Sequence, residues 1–170
     1  GGFTGYLDLV AFQQDFQNYI EFTFGLWKLD FLKGIGFKSV NTGGARVRGL
    51  EAELAGKGKI GNVDLAILMG YTWTKPVSTT PSQDYATPAV TTIPAYDYVN
   101  TSYDTTGYLL KFRVQHLFRA DVQAEYWKLF AGVSVRYNSH VRNIDKVSIT
   151  LDETTSEASA LRTGVDDWMR

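Results

Sequence analysis

The stretch Val63-Asp64-Leu65-Ala66-Ile67-Leu68-Met69-Gly70-Tyr71-Thr72-Trp73-Thr74 decides the fold class. Its odd positions read Val, Leu, Ile, Met, Tyr and Trp without a break, and its even positions read Asp, Ala, Leu, Gly, Thr and Thr. A period of two sustained over this length is a strand with one strongly apolar face. Apolar residues do not recur consistently three and four apart, so a helix fits poorly. At about 3.3 Å per residue and a tilt near 45°, the segment rises roughly 28 Å, which is the thickness of bilayer hydrocarbon. Strands in soluble domains usually stop after about five or six residues.

The same pattern returns twice downstream. From Phe118 to Tyr126 the even positions are Phe, Ala, Val, Ala and Tyr, against Arg119, Asp121, Gln123 and Glu125. From Leu129 to Tyr137 the odd positions are Leu, Ala, Val, Val and Tyr, against Phe130, Gly132, Ser134 and Arg136. Only Trp127-Lys128 separates the two runs, which predicts a tight hairpin. Two earlier strands are less regular. One is aromatic-rich, from Gly5 to about Ile20. The other runs from Phe37 to Ala55, where Leu50, Ala52 and Leu54 oppose Glu51 and Glu53. Gly43, Gly44 and Gly49 point to bends or bulges there, and the pattern does not fix the facing above Gly49.

The expected strands therefore cover about 5–20, 37–55, 63–74, 108–126 and 129–141. Long connections cover about 21–36, 75–107 and 142–170, and short turns fall at 56–62 and 127–128. Long and short connections alternate, so all the short turns lie on one side and all the long loops on the other. The loop at 75–107 holds all four prolines.

A soluble β-sandwich also alternates apolar and polar residues. The sided loop lengths, the strand lengths and the aromatics at strand ends (Tyr71, Trp73, Tyr126, Trp127 and Tyr137) favour instead an antiparallel up-and-down transmembrane β-barrel. In lipid every backbone polar group must be paired, which demands closure. Five strands cannot close, and bacterial single-chain barrels have even numbers from about eight upward. The expectation is an all-β fragment of a larger barrel.

Composition agrees. The chain of 170 residues carries 17 Lys plus Arg against 18 Asp plus Glu, which disfavours a nucleic-acid binder. Cysteine is absent and there are only two histidines, so thiolate metal sites and histidine-rich centres are excluded. No cofactor is expected.

The segment Asn41-Thr42-Gly43-Gly44-Ala45-Arg46-Val47-Arg48-Gly49-Leu50-Glu51-Ala52-Glu53-Leu54 resembles the Asn…Ala-x-x-x-Gly-x-Glu-x-x-Leu strand of TonB-dependent outer-membrane receptors. Leu68-Met69-Gly70-Tyr71-Thr72-Trp73 looks like the family's returning strand. His116-Leu117-Phe118-Arg119 looks like its Pro-x-His strand start, with Val114 where Pro would stand. Val133 to Asp145 looks like a late ascending strand of the Bacteroidota branch. The resemblance implies late strands of a 22-stranded barrel, with the plug, the TonB-contacting segment and the last strands outside these residues.

It further implies active import of a nutrient such as an oligosaccharide, peptide or siderophore across the bacterial outer membrane. The implied partners are outer-membrane lipids, the TonB energy-transducing complex and a SusD-like surface lipoprotein. A passive porin or structural barrel is the alternative of another class. Tyr85, Tyr96, Tyr98 and Tyr103, among many hydroxyls in the long loop, suit ligand capture as well as loop packing. Arg119, Asp121, Gln123, Glu125 and Arg136 are expected to face the lumen, pairing with a plug or contacting substrate.

No enzyme is expected. Ser139, His140 and Asp145 can be assembled into a triad on paper, as in a barrel phospholipase, but no nucleophile elbow accompanies them. Gly56-Lys57-Gly58-Lys59-Ile60-Gly61 lacks the Gly-Lys-Ser/Thr ending of a phosphate loop. Asn100-Thr101-Ser102 matches a glycosylation triplet, and the acidic run from Asp152 to Glu157 matches a calcium loop; both patterns are common by chance.

Overall fold

The computed structural model describes residues 2–29 and 34–147. Seven strands appear in order: β1 (Phe3–Phe16), β2 (Ile20–Leu26), β3 (Ile35–Asn41), β4 (Ala45–Ile60), β5 (Val63–Ser78), β6 (His116–Tyr126) and β7 (Leu129–Asn138). A single helical turn, α1 (Tyr98–Thr101), and a 3-10 turn at Thr106–Tyr108 stand between β5 and β6. Among the described residues no helix is long and apolar enough to cross a membrane. Two compact units result. One is built from the described residues of Gly1–Asp15, Arg46–Pro76 and Arg113–Val141, the other from those of Phe16–Ala45, Val77–Phe112 and the segment after Val141.

The first unit is an open wall of five strands in the order β1-β4-β5-β6-β7. Alternation drives its two faces apart. Antiparallel pairing sets Ile67 opposite Val122 and Val122 opposite Val133, with Met69, Ala120 and Val135 in the next row. Residues between them point the other way, where Leu68, Asp121 and Ser134 make one row and Gly70, Arg119 and Arg136 another. Tyr71, Phe118 and Tyr137 fall in one cross-strand row at the end nearest the long connections. Tyr126 and Trp127 mark the opposite end. The two hairpin turns are tight, Gly61-Asn62 and Trp127-Lys128. Each opens on a residue in the left-handed region, Gly61 at φ 61° and Trp127 at φ 55°.

β4 settles the facing above Gly49. It runs unbroken through that glycine, and its pairing with β1 keeps one register from end to end. At one end the Lys59 amide donates to the Gly2 carbonyl at 3.1 Å. At the other, Arg48 donates to Gln13 at 2.7 Å and Arg46 to Asp15 at 2.5 Å. Arg46 and Arg48 thus lie on the same face as Leu50, Ala52 and Leu54. Glycine is required at 49 because a Cβ there would meet the Phe12 ring and, at 2.7 Å, the Trp73 carbonyl oxygen. The bend falls at Gly43 instead, where φ is 90°. That turn divides the expected strand 37–55 into β3 and β4, which belong to different sheets.

The second unit corrects two further expectations. Residues expected as the loop 21–36 contain β2 and the start of β3, an antiparallel hairpin from Ile20 opposite Asn41 to Leu26 opposite Ile35. Its polarity is inverted. Glu21 and Thr23 are buried while Ile20 and Phe22 are 64% exposed. The strand expected from residue 108 begins only at His116, because left-handed backbone at Tyr108 (φ 54°) and Phe112 (φ 57°) interrupts extension. Most of the long connection expected at 142–170, with its acidic run, lies outside the described residues.

Candidate functional site

The loop unit is organised around a buried ion pair. Lys111 Nζ lies 2.6 Å from Asp145 Oδ1, and the two side chains are 1% and 2% exposed. Charges this deep are tolerated only when their remaining capacity is filled. Lys111 also donates to Thr101 Oγ1 at 3.2 Å, and Asp145 Oδ2 accepts the Phe24 amide at 3.3 Å. Thr101 gives its own proton to the Asp97 carbonyl at 2.6 Å. The Tyr85 hydroxyl, 2.8 Å away, is therefore the donor to Thr101. A capping box between Asp97 and Asn100 starts the turn that presents Thr101. The apparent glycosylation triplet is thus a helix cap followed by two buried hydroxyl residues.

A second buried node lies at Asn143. Its amide nitrogen donates to Leu109 O at 2.6 Å and to the Tyr98 hydroxyl at 2.9 Å, while its oxygen accepts the Asp104 amide at 3.1 Å. Tyr98 passes its proton to Leu109 O at 2.5 Å. Burial pushes the Tyr85 and Tyr98 hydroxyls up to about 12. Asp104 is held below the usual carboxylate range by the Thr106 hydroxyl and amide.

Three of the four loop tyrosines singled out from sequence are therefore engaged in packing. Tyr98 is 3% exposed. Tyr85 is half-buried against Thr101. Tyr96 accepts the Leu26 amide at 2.9 Å and sets its ring edge-on to Trp27, 5.4 Å between centroids. Tyr103 alone presents its ring, at 59% exposure. Exposed with it are Tyr108 and Phe112, aromatics that alternation hid by placing them in a strand. Their left-handed backbone is the kind of local strain held at binding sites, and the Phe112 amide is anchored on Asn143 O at 2.8 Å. The same unit holds a cavity of about 450 Å³ lined mainly by carbon, from Phe24, Leu26, Ile35, Ile93, Pro94 and Tyr96. That volume suits a small ligand.

On the wall, Arg119, Asp121, Gln123, Glu125 and Arg136 share one face. Arg119 donates to Asp121 at 2.6 Å, and Ser134 donates to the same carboxylate. Ser139 and Asp145 carry other duties than a triad. Ser139 Oγ accepts the amides of Gln115 and His116 at 3.0 and 3.1 Å, and Asp145 is committed to Lys111. Among the described residues no group of acids and histidines is placed to hold a metal.

The family model for the TonB dependent receptor-like β-barrel matches residues 1–163. No curated protein and no solved structure matches the chain. A match over nearly the full length, on a wall of long antiparallel strands, carries family membership. The chain belongs to the TonB-dependent receptor β-barrel family, outer-membrane receptors and transporters that work among outer-membrane lipids with TonB as partner.

Proposed function

We propose that these residues form one sector of an active importer. In this reading the face carrying Ile67, Val122 and Val133 meets lipid, and the face carrying Arg119, Asp121, Gln123, Glu125 and Arg136 meets the lumen. The loop unit captures an external nutrient, an oligosaccharide, peptide or siderophore, on the rings of Tyr103, Tyr108 and Phe112 or in the apolar cavity of the same unit. TonB then drives its release inward, with a SusD-like surface lipoprotein as a further partner and no catalytic step. The observation that supports this best is that Tyr103, Tyr108 and Phe112 stay exposed on a scaffold fixed by two buried polar nodes.

Uptake of labelled members of the three nutrient classes, in cells with and without an uncoupler, tests the reading. One class should accumulate only when the membrane is energised, and Tyr103→Ala should weaken its capture several-fold. Uptake that persists after uncoupling would instead make the protein a passive pore.

A further inference from the structure

Every Asp, Glu, Lys and Arg on the apolar face of the wall sits at one end. That face comprises the odd positions of β1, β5 and β7 and the even positions of β4 and β6, as the pairings fix. Along it these charges are Asp15 on β1, Arg46 and Arg48 on β4, and Lys75 on β5. Lys57 and Lys59, near the other end of β4, point to the opposite face, where Lys59 pairs with Asp64 at 3.2 Å. Arg48 and Lys75 lie equally far along neighbouring strands from the Gly61-Asn62 turn. They therefore stand side by side, at the end facing the long connections.

We propose that Arg46, Arg48 and Lys75 bind the phosphate of an outer-leaflet lipid headgroup. The proposal rests on the reading that this face meets lipid. A charge in mid-bilayer would cost about 2–4 kcal/mol, but the penalty fades at the interface. The aromatic row of Tyr71, Phe118 and Tyr137, with Trp73 beyond it, marks that interface. Lys75 lies two residues past Trp73, about 5 Å further along a tilted strand, at the depth of headgroup phosphates. The Asp15 carboxylate pairs with Arg46 at 2.5 Å and also accepts the Gln13 amide at 2.8 Å. Arg48 spends its Nε on the neutral amide of Gln13, and among the described residues neither Arg48 nor Lys75 has an ion pair. Asp15 is thus the one anion set against Arg46, Arg48 and Lys75 on this face of the described wall, and the excess positive charge on adjacent strands repels itself unless a further anion is shared. The Arg48 fork and the Lys75 ammonium supply the planar and point-charge donors that phosphate accepts.

The test titrates the purified protein in detergent with doubly phosphorylated lipid A and reads bound lipid by native mass spectrometry. The Arg48→Gln/Lys75→Gln variant should bind at least tenfold more weakly, and Arg48→Lys, which keeps the charge but loses the fork, should fall between it and the parent. Excess inorganic phosphate should leave lipid binding unchanged. Equal binding by the double variant, or by lipid A stripped of phosphate, would overturn the site. Displacement by inorganic phosphate would assign it to a soluble anion and overturn the lipid proposal. A spin label at Val133→Cys in vesicles separates the underlying reading. Contact with apolar oxygen but no phosphate preference rejects only this site, whereas contact with aqueous relaxant rejects the lipid-facing assignment itself.

Discussion

Lys111 and Asp145 form an ion pair 2.6 Å long in which neither side chain is more than 2% exposed. Such a pair contributes little over a well-packed apolar replacement, but breaking it strands a buried charge. Lys111→Met should therefore destabilise the loop unit by about 3–5 kcal/mol, and Lys111→Met/Asp145→Leu should recover most of the loss. Hydrogen exchange at the Phe24 and Ser102 amides checks both, and equal protection in the single variant and the parent would contradict the assignment.

The buried tyrosines give the same unit an alkaline limit. Tyr85 and Tyr98 hold their protons up to about 12, whereas an unfolded chain releases them near 10. The unfolded state then gains from ionisation before the folded state can. Stability is thus complete below pH 10 and declines as the pH rises towards 12. For Tyr98 the loss reaches roughly 2–3 kcal/mol at the upper end. Near-ultraviolet absorbance should show a late-titrating class of tyrosine that shrinks in Tyr98→Phe.

Neighbours on one strand should respond oppositely to the same charge. Val122 stands between Ile67 and Val133, whereas Gln123 stands between Ala66 and Gly132. Val122→Arg should cost about 2–4 kcal/mol of stability in phospholipid vesicles, and Gln123→Arg less than about 1. Denaturant titration of the reconstituted protein measures both, and equal penalties would mean the faces are assigned wrongly.

Two wall glycines separate packing from tolerance. A Cβ at Gly49 would lie 2.7 Å from the Trp73 carbonyl oxygen, while one at Gly70 would meet nothing within 4 Å. Gly49→Val should prevent the compact, heat-modifiable form on gels, and Gly70→Ala should leave it intact.

Much of the wall was legible because a strand declares its own face. The uninterrupted alternation from Val63 to Trp73, and the paired runs on either side of Trp127-Lys128, required nothing beyond the period of an extended backbone. Sided loop lengths and terminal aromatics then pointed to a barrel, and the Asn41 to Leu54 segment to its family. Local pattern failed where backbone torsion rather than side-chain polarity decided the path. Positive φ at Gly43 divided one expected strand into two, and at Tyr108 and Phe112 it delayed β6. The β2–β3 hairpin was missed because its buried face carries Glu21 and Thr23, the reverse of the pattern that signals a core.

The sequence by itself determined the class of the protein, the faces of β5, β6 and β7 and the family, since each depends on residues close together in the chain. Tertiary structure alone decided which loop tyrosines are anchors and which are free, and on which face Arg46 and Arg48 stand. The physical reason is distance along the chain. Lys111 meets Asp145, Tyr96 meets Leu26, and Arg46 meets Asp15 across separations that no periodicity can read.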